Sequence, residues 1–165
     1  MKFLAWFEQT DFSTWVREEW WVFPLILSIH AVGMGLSAGI NFAIGLRMLG
    51  VAPKVPMEKL ARFIPLVWFG FIINVISGLA LLAGYPAKAL TNWDFYLKLS
   101  FLAAGLWMMK VIQREVLPRA EFSAGTLPSK FRGYAWLDLV FWIGVIFTGR
   151  FLAYTHHILL AYWDT

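Results

Sequence analysis

Four stretches of the chain are almost free of charged residues, and short segments that contain charges separate them. They cover about residues 20–49, 63–87, 93–117 and 134–163. The first has no charge between Glu19 and Arg47, and the second has none between Arg62 and Lys88. A helix of about 20 apolar residues crosses a bilayer core of roughly 30 Å. The pattern therefore predicts four transmembrane helices.

The third and fourth stretches contain basic residues within the apolar run. In the third, the uncharged middle Leu99–Met109 can cross a bilayer if Lys98 and Lys110 lie at or inside its two edges. The fourth has Arg150 near its middle. Ionisable residues inside a membrane span are candidates for function by default.

Residues 1–19 mix aromatic and acidic side chains and lack a run of small residues that would indicate a secretory cleavage site. We predict an interfacial helix that begins at about Phe12 and places its tryptophans at headgroup level. The connections between the apolar stretches are short, which favours antiparallel neighbours. The predicted fold is all-α: an integral membrane up-down-up-down four-helix bundle in one domain, residues 1–165, with an N-terminal interfacial helix.

Composition supports a membrane location and excludes several kinds of site. Of all residues, 60% are hydrophobic and 15% are charged, which is too apolar for a soluble domain of this length. The sequence has no cysteine, so disulfides, iron–sulfur clusters, zinc–thiolate sites and blue-copper sites are excluded. The composition predicts the lipid bilayer, and not nucleic acid, as the main partner.

Basic residues are distributed unevenly between the two predicted membrane faces. Most lie in or beside the first and third connections: Arg47, Lys54, Lys59, Arg62, Lys110, Arg114, Arg119, Lys130 and Arg132. The other face has Lys2, Arg17 and Lys88, and Lys98 if its amine reaches the surface. Because cytoplasmic loops are enriched in Lys and Arg, we predict a multi-pass protein of a bacterial inner membrane with both termini on the periplasmic side.

Helical periodicity divides the first predicted span into two faces. At about 100° per residue, His30, Met34, Ser37 and Asn41 share one stripe. Gly35 and Gly39 lie nearly opposite, with the small-x-x-x-small spacing of helix contacts. We therefore predict a polar face for function and a glycine face for packing.

The fourth span places a cation deep in the bilayer without an obvious partner. Arg150, Tyr154 and His157 share one face, whereas His156 points elsewhere. No Asp or Glu is predicted in the middle of any span, so Arg150 lacks a buried carboxylate. A haem propionate or a polar ligand such as a quinone would supply the missing partner.

Two histidines on different helices are the minimum for bis-imidazole haem b ligation. His30 and His157 are the candidate iron ligands, and Lys98 and Arg150 are the candidate partners of the propionates. Small or polar residues would make room for the macrocycle: Gly33, Ser37, Asn74, Ser77 and Gly78.

Each of these residues also has a structural interpretation. His30 would hydrogen-bond a neighbouring helix, and Lys98 would extend to the outer interface. Arg150 would bind stray backbone carbonyls. The pair His156–His157 would contact water or lipid headgroups near a helix end.

The segments around His30 and Lys98 carry a family resemblance. His30 followed by Gly35, Gly39 and Leu46–Leu49 resembles the first helix of small bacterial membrane proteins, which include the HemJ-type haem-containing protoporphyrinogen oxidase and CopD-like copper-resistance domains. Trp93–Gly105 resembles the lysine-bearing third helix of the HemJ type. Over most of its length the chain is similar to a family of bacterial four-helix membrane proteins whose last helix also has a Gly-Arg pair, here Gly149–Arg150.

The resemblance implies a haem b site with His30 as an axial ligand and Lys98 close to it. Met48, Leu49 and Trp107–Met109 stand where the HemJ type has further histidines. The resemblance therefore implies haem binding without protoporphyrinogen oxidation.

We predict a haem b electron-transfer protein that acts as a subunit of a larger inner-membrane redox complex or as a homo-oligomer, rather than as an independent enzyme. Quinone is a second candidate ligand. One alternative is a non-redox structural or assembly subunit. Another is transport of copper or a small anion, since Cu(I) favours Met and His and Met34 lies one turn from His30.

Overall fold

The structure is a computed structural model that describes residues 6–118 and 128–154. Within these ranges regular secondary structure is helical. The helices of the described residues include, in order, α1 (Asp11–Glu18), α2 (Val22–Met48), α3 (Met57–Ala61), α4 (Ile64–Gly84), α5 (Pro86–Leu90), α6 (Trp93–Glu115) and α7 (Ser129–Tyr154).

Helices α2, α4, α6 and α7 are long and apolar enough to cross a membrane. They confirm the four predicted apolar helices, with ends within a few residues of expectation for the first three. Pro65 lies in the first turn of α4, where its missing N–H removes no intrahelical bond. Helix α7 begins at Ser129, five residues before the predicted start at Tyr134, and this shift places Asp138 well inside the helix.

Helix α1 covers one end of α4, and its start agrees with the prediction. Thr10 caps it by accepting a hydrogen bond from the backbone N–H of Ser13. The Ser13 hydroxyl donates to the Gly84 carbonyl at 3.4 Å. Val16 packs so closely against Gly84 that a Cβ on the glycine would lie 2.9 Å from Cγ1 of Val16. Its exposed aromatic residues include Phe12 and Trp15. A tight polar and apolar contact thus attaches α1 to the bundle.

Helices α2 and α4 approach each other most closely at two glycines. A Cβ on Gly33 would lie 2.8 Å from the Gly70 carbonyl oxygen, and one on Gly70 would lie 2.7 Å from Cβ of Leu36. Beside them, the Ser37 hydroxyl donates to the Val67 carbonyl at 3.1 Å. Close backbone approach of this kind is typical of helix pairs in membranes.

Helix α7 packs against both α6 and α2. Gly105 faces the Trp142 ring and Gly45 faces Leu139. A cluster of buried side chains lies at the end of the bundle that holds the α2–α3 connection; we call this the packed end. It contains Ile44, Met48, Met57, Met108, Ile112, Val116, Phe131 and Ala135.

Candidate functional site

A cavity of about 570 Å³ lies at the other end of the bundle, which we call the cavity end. His30 of α2, Lys98 of α6 and Arg150 of α7 all line it. Phe23, Phe42 and Phe95 contribute aromatic walls. Three candidate residues chosen from sequence, on three different helices, therefore share one cavity. Its volume is in the usual range for small-molecule and cofactor sites.

Hydrogen bonds to α4 hold His30 in place. Its Nδ1 lies 3.0 Å from the Ser77 hydroxyl oxygen, and the Asn74 amide donates to the His30 backbone carbonyl at 3.0 Å. Both α4 residues share one helix face, since they are three positions apart. The histidine is thus fixed at both its ring and its backbone.

The Ser77 hydroxyl also determines which ring nitrogen of a neutral His30 carries the proton. A hydroxyl has one proton to donate, and Ser77 lies 2.6 Å from the Ile73 carbonyl, its best acceptor. Ser77 must then accept from His30, which places the imidazole proton on Nδ1. The lone pair of Nε2 is left for a ligand. Metal-binding histidines usually have this arrangement, with the second nitrogen donating to a neighbouring oxygen.

The cavity lining is positively charged. Lys98 is half-buried. Its Nζ lies beside Gly149: a Cβ built on that glycine would be 3.8 Å from Nζ. Arg150 is exposed at the rim, and Lys88 of α5 also lines the cavity. The described lining includes no Asp or Glu. An anionic or strongly electron-rich occupant would complement this lining.

The glycines of α2 have roles different from those predicted. Gly35 and Gly39 line the cavity, and in the described chain a Cβ on either would meet nothing within 4 Å. The predicted packing face is therefore wrong for these two residues, which instead make room. The close contact belongs to Gly33, predicted to make room, because its position faces the Gly70 backbone. Periodicity placed these residues on faces but could not identify which face a neighbour would cover.

Gly78 makes room for the histidine ring. A Cβ at this position would lie 3.3 Å from Cε1 of His30. The sequence predicted that Gly78 makes room for a macrocycle; the contact found in the structure is with the His30 ring.

Other predicted site residues lie elsewhere or outside the described chain. Asn74 lines a smaller cavity of about 180 Å³ that His30 and Lys98 also line. The backbone of Tyr154 ends α7. His156 and the second predicted ligand, His157, lie outside the described residues. The sequence analysis did not predict two roles: Ser77 as the hydrogen-bond partner of His30, and Lys88 as a cation that lines the cavity.

The expectation that the spans contain no buried carboxylate is wrong. Asp138 is the tenth residue of α7 and is completely buried. It is 12 residues, or roughly 18 Å at 1.5 Å per residue, from Arg150 along the helix. The distance means that Asp138 does not balance the charge of Arg150.

Among the described residues, no group of three or more His, Cys, Asp or Glu side chains is placed to hold a metal ion. Comparisons with protein-family models, with curated proteins and with solved structures gave no match to this chain.

Proposed function

We propose that this chain is a small bacterial inner-membrane protein that binds haem b and takes part in electron transfer. The observation that carries the proposal is the cavity in which the His30 imidazole, bonded through Nδ1 to Ser77, lies among basic side chains. Haem b combines an iron that accepts an imidazole with two propionates that need cations. The site supplies both kinds of partner.

Each residue would have a distinct role toward haem. His30 would ligate the haem iron, and Ser77 would orient its ring. Lys98 and Arg150 would bind the propionates, and His157 is the proposed second ligand. Bound haem would supply a one-electron couple, and the protein would set its potential through ligation, burial and nearby positive charge.

Membrane insertion is part of the proposal. Large apolar side chains are exposed along the long helices, for example Phe69, Ile72 and Ile76 of α4. Exposed apolar surface of this extent favours lipid contact. His30, early in α2, contacts Ser77 late in α4, whereas Ser37, later in α2, contacts Val67 early in α4. This antiparallel order of contacts favours an up-down-up-down bundle. The distribution of Lys and Arg supports a periplasmic location for both termini.

The optical spectrum of the purified protein, oxidised and then reduced with dithionite, tests the proposal. Haem b binding predicts a Soret band, sharp reduced bands and iron in proportion to the chain. A colourless, fully helical protein without metal would overturn it and favour an assembly subunit.

Copper binding is the second candidate because Met34 lines the cavity with His30, and Cu(I) favours thioether and imidazole ligands. Measuring copper together with iron separates the two proposals. Copper in proportion to the chain, with no Soret band, would reject haem b in favour of copper.

A further inference from the structure

The smaller cavity opens sideways between α4 and α6. Val75 and Leu79 of α4 and Leu99 of α6 line this cavity, and they are also 41%, 60% and 44% exposed. Helix α4 packs against α2 and helix α6 packs against α7, whereas α4 and α6 make little direct contact in the described chain. The cavity therefore reaches the outer surface of the bundle through the gap between these two helices.

The opening lies at the depth of the hydrocarbon core in the proposed membrane orientation. Val75 is close to the middle of α4, which has 21 residues and is therefore roughly 32 Å long. A helix of this length spans the core, so its middle is surrounded by acyl chains. A molecule that enters here has to dissolve in hydrocarbon.

Two polar side chains with free hydrogen-bonding groups line this mostly apolar space. The Lys98 ammonium makes no hydrogen bond or ion pair with any described residue. Asn74 uses one amide proton on the His30 carbonyl, so its second amide proton and its carbonyl oxygen are available. Polar groups left unpaired in an apolar environment are unfavourable. An occupant with hydrogen-bond acceptors would remove this cost.

The size of the smaller cavity limits what it holds. Its volume is about 180 Å³, and an apolar protein cavity of about 150 Å³ holds a benzene molecule. One six-membered ring therefore fits, whereas a porphyrin requires the larger cavity. A long apolar substituent on the ring would extend through the opening into the bilayer.

A quinone with an isoprenoid tail meets all of these requirements. Its carbonyl oxygens accept hydrogen bonds from the Lys98 ammonium and the Asn74 amide, and its tail is soluble in hydrocarbon. A phospholipid acyl chain would fill the same space but would leave both polar side chains unpaired. Because an ammonium has three donors, Lys98 can bind a quinone oxygen and a haem propionate together.

We propose that the smaller cavity binds the head group of a lipid-soluble quinone, whose tail passes between α4 and α6 into the bilayer. The inference rests on the proposed function only for the role of the quinone as redox partner of haem. Binding itself depends on the smaller cavity, Lys98 and Asn74, and it does not require haem.

Photolabelling of the purified protein in lipid nanodiscs with a decyl azidoquinone tests the proposal. We expect peptide mass spectrometry to place the label on the residues of α4 and α6 beside the smaller cavity, and unlabelled decylubiquinone to compete. Decylbenzene has the same tail without carbonyl groups. It should compete roughly 10- to 100-fold less well, the factor expected when hydrogen bonds to a charged group are lost.

Two outcomes of the labelling would overturn the proposal. Equal competition by decylbenzene would show that the gap merely accepts an acyl chain. Label spread over the outer faces of all four long helices would show that no site exists between α4 and α6. Both outcomes are read on the wild-type protein, so the test does not depend on the folding of a variant.

Two tryptophan substitutions on α4 form a matched pair. Val75→Trp places an indole ring in the opening, so labelling should fall about tenfold or more. Ile76→Trp adds the same ring at a position that is 65% exposed and lines neither cavity, so labelling should be unchanged. Equal labelling of the two folded variants would contradict entry between α4 and α6.

Haem absorbance of the same samples separates this inference from the proposed function. Labelling beside the smaller cavity in a protein that binds no haem would support the quinone site and reject haem binding. A full haem spectrum without labelling at the smaller cavity would reject the quinone site alone.

Discussion

The two ends of the bundle are built from the same four long helices but are packed in opposite ways. At the packed end, Met48, Met108 and Ile112 are each at most 2% exposed and fill the space between helices. At the cavity end, Gly35 and Gly39 leave about 570 Å³ open beside His30. Protein interiors are normally close-packed. The open end is where we propose that a ligand binds, whereas the filled end holds the helices together.

The cavity end also gathers basic side chains. The cavity has Lys88, Lys98 and Arg150 and no described acidic side chain. The single buried acid of α7, Asp138, lies beyond it towards the packed end. A bundle stabilised by ion pairs would place these opposite charges together. Their separation supports the proposal that an anionic guest neutralises the cations.

The largest expected effect is loss of packing at the packed end. Met48→Ala should destabilise the protein by about 2–5 kcal/mol, since it leaves a void among buried side chains. We expect the lower part of this range. Lipid is also apolar, so the free energy of transferring the Met48 side chain out of the protein core contributes less than it does in water. Met34→Ala is the matched control: it enlarges an existing cavity and should have a much smaller effect. Equal losses in thermal unfolding would remove the distinction between the two ends.

Removing a cation from the cavity should weaken haem binding. Lys98→Met deletes a proposed propionate partner, and hydrogen bonds to charged groups contribute about 1.5–3 kcal/mol, so haem affinity should fall roughly 10- to 100-fold. Lys54→Met removes the same charge from the exposed first connection and should leave affinity unchanged. Haem titration of apoprotein compares the two. Identical losses would show that only net charge matters.

Two glycines of α2 sharpen the contrast between contact and cavity. Gly33→Ala should cost about 1–3 kcal/mol, because its Cβ would overlap the Gly70 carbonyl oxygen on α4. Gly35→Ala adds the same methyl group where nothing lies within 4 Å, and it should be tolerated. Unfolding measured in one detergent checks both variants. Greater destabilisation by Gly35→Ala would show that this face is packed against something.

Loss of the hydroxyl that orients His30 should have the smallest effect. Ser77→Ala removes the acceptor for Nδ1, and changes of this kind usually weaken metal binding 10- to 100-fold. We expect about tenfold, because Asn74 still holds the His30 backbone. Ser100→Ala is the control, since that exposed hydroxyl donates to the Tyr96 carbonyl within α6. Haem retention after gel filtration distinguishes them, and equal retention would exclude the proposed role of Ser77.

Hydrophobic runs bounded by charged residues were sufficient to predict the long helices. Glu19 lies just before α2 and Arg47 lies in its last turn, so the uncharged run between them coincides with the helix. The start of α7 was harder: Lys130 and Arg132 were assigned to the connection, yet both lie in the first turn of the helix. That shift hid Asp138, although its spacing from Trp142 and Val145 is that of one buried helix face.

The site could be predicted residue by residue but not as an arrangement. His30, Lys98 and Arg150 could be identified from sequence because ionisable residues inside apolar spans are costly to bury and are usually functional. The pairing of His30 with Ser77 depends on the rotation of α4 against α2, which the Gly33–Gly70 contact determines. Helical periodicity describes one helix at a time, so contacts between helices could not be derived from it.

The Soret absorbance of purified His30→Ala protein, measured beside the wild type at equal concentration of folded chain, tests the central claim most directly. Circular dichroism and gel filtration establish that both proteins are folded. The account predicts that wild-type protein shows a haem b spectrum and that His30→Ala loses it. A full haem spectrum retained in His30→Ala would contradict the assignment of His30 as an iron ligand.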